Sequence, residues 1–180
     1  MIKLTSLLTE NIEKYTIYLD MDGVLTDFDL QVFRLLGMYP YAYESTHGKK
    51  VFWDRIDDSG VDFWKDMEWT AYGMLLWNEL KPYNPTILSS PSRHRNSKLG
   101  KIEWINDNLG DVKYILSSNK WKYSGKNHIL IDDNLEKNIR PWIDHGGIGI
   151  HHTSVKSTLD ELSKLGFRFK QTDFPFPLNT

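Results

Sequence analysis

The chain of 180 residues contains no cysteine. Disulfide bonds, thiolate metal sites and a cysteine nucleophile are therefore excluded together, and the composition is compatible with a reducing compartment. The sequence also lacks an excess of either charge, since 22 Lys and Arg face 24 Asp and Glu, for a net charge of -2. No global basic field exists to attract nucleic acid or an anionic membrane, so a small-molecule partner is favoured over nucleic acid.

Long hydrophobic runs are missing as well. Residues 1–15, MIKLTSLLTENIEKY, contain only short apolar pieces, too little for a signal peptide or a membrane span. We expect a cytoplasmic protein without a membrane partner. The length suits one domain with its own core, and the oligomeric state stays open, with a homodimer among the possibilities. In the C-terminal segment we expect Phe174 and Phe176 to dock on the body of the protein.

Five short β-rich runs are separated by polar turns and helical patterns; they are residues 16–20, 86–90, 112–118, 128–133 and 147–152. Strands that alternate with helices predict an α/β fold with a doubly wound parallel sheet covered on both faces.

Apolar residues at spacings of three and four predict helices over three segments, residues 99–109, 135–143 and 155–165. In the first segment the apolar positions are Leu99, Ile102, Ile105 and Leu109. Pro141 should kink the second helix or begin a new first turn. Ser154 is the expected N-cap of the third.

The alternation fails between about Gly37 and Pro85, where 11 of the 24 aromatic residues lie. We predict a single domain over residues 1–180, with a core of about 1–36 and 84–180 and a small, mostly helical cap of about 37–83 inserted after the first strand. Large rings give a small cap its core, and some of them are expected to line a pocket for a flat ligand.

Polar side chains follow four of the predicted strands where each strand ends. They are Asp20 and Asp22; Ser89 and Ser90; Ser117, Ser118, Asn119 and Lys120; and Asp132 and Asp133. In a parallel α/β sheet such residues converge at one edge, where ligands bind. Carboxylates, hydroxyls and an amine predict a site for a divalent cation and a phosphate.

The chemistry explains why two aspartates are separated by a single residue. A phosphate that approaches several carboxylates is repelled unless its charge is neutralised, which Mg²⁺ and Lys120 could do. One aspartate can then attack phosphorus as a nucleophile, while the other gives and takes protons. Gly23 permits the sharp turn that this requires.

The stretch LDMDGVLTD resembles the first motif of the haloacid dehalogenase-like phosphatase superfamily, an apolar strand followed by D-x-D-G-x-[VTL]. Together with LSSP, KIEWINDNLG and LIDD, it also resembles the 5'(3')-deoxyribonucleotidases, from about Ile17 to Thr153. The resemblance implies a Mg²⁺-dependent phosphomonoesterase that hydrolyses nucleoside monophosphates through an aspartyl-phosphate.

The resemblance also implies a role for each residue of the site. Asp20 would be the nucleophile and a Mg²⁺ ligand, Asp22 the general acid/base with its backbone carbonyl facing the metal, Ser89 and Ser90 phosphate ligands, Lys120 the third-motif lysine, and Asp132 and Asp133 the remaining metal ligands. Lys101 would be a further phosphate contact. Phe28, Trp53, Trp64 and Trp69 would contact the base.

The sequence departs from the family pattern around the third motif. Ser118 and Asn119 stand where the relatives carry a basic residue, and the spacing from Lys120 to Asp132 is slightly long, so Lys122 and Lys126 stay open as alternatives. Taken singly, Lys101 and Lys120 would be solvated side chains, as most lysines are.

Two alternative functions remain. The first is a phosphatase of the same superfamily that acts on a nucleic-acid 3'-phosphate end or a sugar phosphate, although SRHRNSK at residues 92–98 is the one basic stretch that a polymer could use. The second is a noncatalytic phosphate-binding module that has kept the fold.

Overall fold

The protein is described from a computed structural model, in which residue 12 and residues 14–170 are described. The expected docking of Phe174 and Phe176 lies outside these residues. Within them, no helix is both long enough and apolar enough to cross a lipid bilayer.

Five parallel strands form one sheet. They are β1 (Thr16–Leu19), β2 (Thr86–Ser89), β3 (Tyr114–Leu116), β4 (His128–Asp132) and β5 (Ile148–His151), in the spatial order β3-β2-β1-β4-β5. The predicted α/β fold with a parallel sheet is therefore confirmed. Because β1 lies between β2 and β4, the residues that follow these three strands are neighbours at one edge of the sheet.

Side chains of successive strand residues point to opposite faces of the sheet, and both faces are buried. Ile17 and Leu19 join the larger core, which includes Ile129. Leu88 and Leu130 point the other way and pack in a smaller core around Trp142 and Ile139. Near-continuous apolar strands are what a sheet covered on both sides requires.

The described helices are α1 (Phe28–Leu36), α2 (Pro40–His47), α3 (Lys49–Asp58), α4 (Asp62–Lys65), α5 (Gly73–Leu80), α6 (Arg95–Leu109), α7 (Arg140–Asp144) and α8 (Val155–Lys164), with 3₁₀ turns at Lys81–Tyr83 and Lys120–Tyr123 and a π turn at Leu135–Ile139. Helices α2 to α5 lie between β1 and β2, as expected of a small helical cap. The division into core and cap at about residues 37 and 84 stays a prediction.

Two local signals in the sequence act as predicted. Ser154 accepts a hydrogen bond from the Ser157 amide at the start of α8. Pro141 stands in the first turn of α7, where a missing amide hydrogen costs nothing. The π turn Leu135–Ile139 runs directly into α7, so Pro141 marks the new first turn within the predicted helical segment.

The buried face of α6 agrees with its predicted apolar stripe only in part, since Ile105 and Leu109 are buried as predicted. Leu99 is 37% exposed, whereas Gly100, Lys101 and Trp104 are buried. The reason lies in the cap, because α4 packs across Gly100 so closely that a Cβ there would lie 2.5 Å from Trp64 Cβ. At the start of α6, a tertiary contact and not the spacing of apolar residues decides which side of the helix is covered.

Candidate active site

The site begins in the turn that follows β1. The Asp20 amide donates to Ile131 O at 2.9 Å and so continues the pairing of β1 with β4. The chain then turns back at Gly23, whose φ of 76° favours glycine. A Cβ at this position would also lie 2.3 Å from Asp133 Oδ2, so glycine is needed for close approach as well as for backbone conformation.

Lys120 links the ends of β1 and β4. Its Nζ lies 2.7 Å from Asp20 Oδ1 and 2.6 Å from Asp132 Oδ2, and the residue is only 1% exposed. Burial disfavours the charge of Lys120, but Asp20 and Asp132 outweigh it, and the pKa of the ammonium is raised. Lys120, and neither Lys122 nor Lys126, is the lysine that the structure brings to these carboxylates.

A second lysine reaches the other aspartate of the turn. Lys101 Nζ lies 2.5 Å from Asp22 Oδ2 and donates to Ser89 Oγ at 3.0 Å. Lys101 and Ser89 are both fully buried, so the expectation of a solvated Lys101 is wrong. Ser90 is less buried and donates from its hydroxyl to Ser117 O at 3.3 Å.

Asp132 is held from several sides. Its Oδ1 accepts a hydrogen bond from the Asn134 amide at 2.9 Å, and the side chain of Asn138 contacts both carboxylate oxygens. The sequence analysis missed Asn138. The signal available was an asparagine in the helical segment after LIDD, which by itself does not indicate a site.

Burial raises the pKa of two of the carboxyl groups. The pKa of Asp20 lies well above its ordinary value because the group is desolvated and faces Asp132, and the attraction of Lys120 does not compensate. Burial and the neighbouring Asp132 also raise the pKa of Asp133, to about 6. Both groups would ionise more readily beside a divalent cation.

The residues present fit such a cation. Oxygen atoms of Asp20, Asp132 and Asp133 lie within 4.8 Å of one another, and an all-oxygen donor set suits Mg²⁺. Asp20 Oδ1 is ion-paired with Lys120 but is one of two buried side-chain polar atoms in the described part of the chain that have no hydrogen-bond partner. When all four aspartates at the strand ends are ionised, the two lysines leave two negative charges, which a divalent cation would neutralise.

A cavity of about 1140 Å³ opens between the strand ends and the cap. Asp20, Asp22, Asp133 and Ser90 line its floor. Four other predicted site residues are buried and do not line the cavity, namely Ser89, Lys101, Lys120 and Asp132.

Three of the four predicted base-contacting rings line the cavity. Phe28 stacks on Trp53 at a centroid distance of 6.3 Å and on Trp64 at 5.8 Å. Trp64 Nε1 is the second buried polar atom that lacks a hydrogen-bond partner in the described part of the chain. Trp69 does not line the cavity. Its indole packs on Trp104 and donates to Asn108 Oδ1 at 3.2 Å.

The cap and the loop after β2 meet at the rim of the cavity. Ser92 donates from its hydroxyl to Asp57 Oδ1 at 3.1 Å, and His94 Nε2 lies 3.7 Å from Asp57 Oδ2. Asn96 adds a weaker hydrogen bond of 3.4 Å to Asp57 O. Part of the basic stretch at residues 92–98 therefore ties the core to the cap.

Comparison with known proteins adds to this description. No model of a protein family matches the chain, and no curated protein matches it in sequence. Among solved structures, the chain is similar to a hydrolase from Streptococcus pneumoniae TIGR4 (15% identity, 83% of this chain and 99% of that chain, TM-score 0.51). It is also similar to the HAD-hydrolase YfnB from Bacillus subtilis, whose structure is bound to magnesium (12% identity, 84% and 97%, TM-score 0.52).

A third similar structure is that of L-2-haloacid dehalogenase from Xanthobacter autotrophicus (12% identity, 83% of this chain and 82% of that chain, TM-score 0.53). Identities this low establish a common fold and nothing finer. The chain has the α/β fold of the haloacid dehalogenase-like hydrolases, with an acidic cluster at the strand ends. The resemblance to deoxyribonucleotidases stays a prediction, because none of these three structures is described as a nucleotidase.

Proposed function

We propose that the protein is a Mg²⁺-dependent phosphomonoesterase that hydrolyses ribo- or deoxyribonucleoside monophosphates to nucleoside and phosphate. The observation that carries the proposal is that two aspartates two residues apart pair with different buried lysines. Asp20 pairs with Lys120, and Asp22 pairs with Lys101. Different surroundings let two nearby carboxylates take different roles, one as a nucleophile and the other as an acid and base.

Asp20 is the nucleophile in this proposal. Asp20, Asp132 and Asp133, with the backbone carbonyl of Asp22, would hold Mg²⁺, which supplies the positive charge that lets an anionic carboxylate approach a phosphate. A bond forms between a carboxylate oxygen of Asp20 and phosphorus as the bond from phosphorus to the ester oxygen breaks. The aspartyl-phosphate divides one difficult hydrolysis into two easier steps.

Asp22 moves the protons. It gives a proton to the departing ester oxygen, and in the second step it takes one from the water that attacks the aspartyl-phosphate. Thr26 Oγ1 donates to Asp22 Oδ1 at 3.1 Å, and Lys101 holds the other oxygen.

The nucleotide substrate is inferred from the cavity wall. Phe28 and Trp53 are half-buried and offer flat apolar surface in the same cavity as carboxylates that would handle a phosphate, and the buried Trp64 stacks on Phe28. Stacking on aromatic rings contributes about 1–3 kcal/mol per base and tolerates different bases. The low net charge and the single basic stretch favour a free mononucleotide over a nucleic-acid end.

The test is phosphate release from a panel of substrates, with Mg²⁺ and with a chelator. The panel contains ribo- and deoxyribonucleoside monophosphates with 5' or 3' phosphates, sugar phosphates and a 3'-phosphorylated oligonucleotide. Asp20→Asn should lose turnover while it keeps its fold, because the change removes the nucleophile without changing its size. Asp107→Asn, at an exposed position of α6, is the matched control and should be fully active.

Each result has a distinct meaning. Metal-dependent release from nucleoside monophosphates supports the proposal. Release confined to sugar phosphates or oligonucleotide ends would keep the mechanism and reject the substrate. No release from any ester would favour a noncatalytic phosphate-binding module, and an Asp20→Asn variant with full activity would reject the aspartyl-phosphate.

A further inference from the structure

The side chain of Asn138 donates hydrogen bonds to both oxygens of the Asp132 carboxylate. Asn138 Nδ2 lies 2.9 Å from Asp132 Oδ1 and 3.0 Å from Asp132 Oδ2, and the asparagine is only 6% exposed. A carboxylate can only accept hydrogen bonds, so the amide nitrogen of Asn138 must face Asp132 and the orientation of its side chain is fixed.

Three groups donate hydrogen bonds to the Asp132 carboxylate. The Asn134 amide approaches Oδ1, the Lys120 ammonium approaches Oδ2, and Asn138 bridges the two oxygens. Lys120 is shared with Asp20, and Asn134 contributes only its backbone. Among the described residues, Asn138 is the one side chain that donates hydrogen bonds to both oxygens of Asp132, which restricts rotation of the carboxylate.

The backbone around Asn138 forms a π turn, in which an amide bonds to the carbonyl five residues earlier. Asn138 lies in the π turn Leu135–Ile139, where the Ile139 amide reaches back to Asn134 O at 3.2 Å. Single π turns are rare and are frequent at functional sites. The wider turn brings a residue six positions after Asp132 back beneath the end of β4.

We infer that Asn138 is a positioning residue that orients Asp132 for binding of a divalent cation. This inference rests on the proposed function in one respect, the use of Asp132 as a metal ligand. Groups that hydrogen-bond to a metal ligand commonly change metal affinity by about 10- to 100-fold when they are removed. Asn138 also lines the cavity, but in this account it contacts the metal ligand and no reacting atom, so its removal acts on the cation and only through it on turnover.

Asn134 provides a matched comparison within the same turn. Its side chain accepts a hydrogen bond from the Lys137 amide and so caps the π turn, while its backbone amide donates to Asp132. Asn134→Ala removes the cap but keeps the backbone donor. Asn138→Leu removes the bridging donor and leaves a side chain of similar volume.

The experiment measures Mg²⁺ binding to the full chain by calorimetry, without substrate, for the wild type and both variants. Asn138→Leu should raise the Kd for Mg²⁺ by about 10- to 100-fold, and Asn134→Ala should change it by less than about threefold while lowering the Tm. In turnover assays, the Mg²⁺ concentration for half-maximal rate should shift in Asn138→Leu by the same factor. Saturating Mg²⁺ should restore its rate, with the substrate KM unchanged.

Several results would overturn the inference. A folded Asn138→Leu variant with wild-type Mg²⁺ affinity would do so, as would an equal loss in Asn134→Ala, which would show that the turn as a whole is responsible. A wild type that binds neither Mg²⁺ nor Mn²⁺ would reject both the inference and the metal site. Mg²⁺ binding that depends on Asn138 in a protein that releases no phosphate would instead support the inference and reject the proposed function alone.

Discussion

Lys101 and Asp22 are 79 residues apart in the chain, yet Lys101 Nζ lies 2.5 Å from Asp22 Oδ2 at the floor of the cavity. Lys101 is fully buried, and its ammonium group also lies 5.2 Å from the centroid of the Trp64 ring in the cap. One side chain on α6 therefore joins the turn after β1 to the wall of the cavity.

Replacing this lysine tests whether the pair matters for activity. Lys101→Met should lower kcat/KM by about 100-fold, as is typical when a positioned charge at a reacting group is lost. It should also lower the free energy of unfolding by roughly 1–3 kcal/mol, less than for a fully buried pair because Asp22 is partly exposed. Lys98→Met, at an exposed position of the same helix, should change stability by no more than about 0.5 kcal/mol. Similar losses in both variants would contradict this assignment.

Two glycines with nearly the same φ allow the cost of a positive φ to be distinguished from the effect of a steric conflict. Gly23 and Gly110 have φ values of 76° and 78°, but a Cβ at Gly23 would meet Asp133 while one at Gly110 would meet nothing within 4 Å. Gly110→Ala should cost about 1–3 kcal/mol, since its φ of 78° and ψ of -146° lie in a region that only glycine adopts readily. Gly23→Ala should in addition weaken Mg²⁺ binding, because the exposed side chain of Asp133 must move. Urea denaturation and calorimetry measure both effects, and equal Mg²⁺ affinities would reject the predicted contact with Asp133.

Trp53 and Trp69 were both predicted to contact the base, but replacing them should now have different effects. Trp53 lines the cavity and stacks with Phe28, whereas Trp69 packs on Trp104 outside it. Trp53→Ala should raise the KM for nucleoside monophosphates by about tenfold, within the range of stacking energies. Trp69→Ala should leave this KM within twofold and lower the Tm instead, through lost packing. Steady-state kinetics and thermal unfolding measure these effects. The opposite pattern would indicate that the base binds to another part of the cap.

His152 makes stability depend on pH. Burial and the neighbouring His151 lower the pKa of His152 to about 4, while an unfolded histidine titrates near 6.5. Between these values the unfolded chain binds the extra proton, so the free energy of unfolding should fall as the pH drops from 7 towards 4. His152→Gln should reduce the fall between pH 7 and pH 5 by about 1–2 kcal/mol, a value discounted for partial exposure. An unchanged pH dependence in chemical denaturation would contradict the lowered pKa.

The positions of the site residues could be predicted because they depend on topology. Once the pattern indicated a parallel sheet, Asp20, Ser89 and Asp132 had to meet at the carboxyl ends of β1, β2 and β4. Lys120 could be placed by the same argument, since it follows β3. These residues needed only the order of the strands, which short apolar runs reveal.

The burial of the lysines could not be predicted in this way. Lys101 lies on the side of α6 that faces the cap, and that side is covered because Gly100 allows α4 to approach. Asn138 is placed by a π turn, which no local pattern distinguishes from an ordinary helical turn. The position of Lys101 depends on a contact between segments far apart in the chain, and that of Asn138 on an exception to regular helix geometry. Trp69 shows that composition alone does not say which aromatic rings line a cavity.

The central claim is that Asp20 carries the phosphoryl group during turnover. The most direct measurement is a rapid acid-quench reaction with a ³²P-labelled nucleoside monophosphate and Mg²⁺, followed by isolation of the labelled protein and mapping of the label. The account predicts a transient, hydroxylamine-sensitive label on Asp20 that precedes phosphate release and is missing from Asp20→Asn. Phosphate release at the full rate with no label on the wild-type protein at any time, or an equal label on Asp20→Asn, would contradict it.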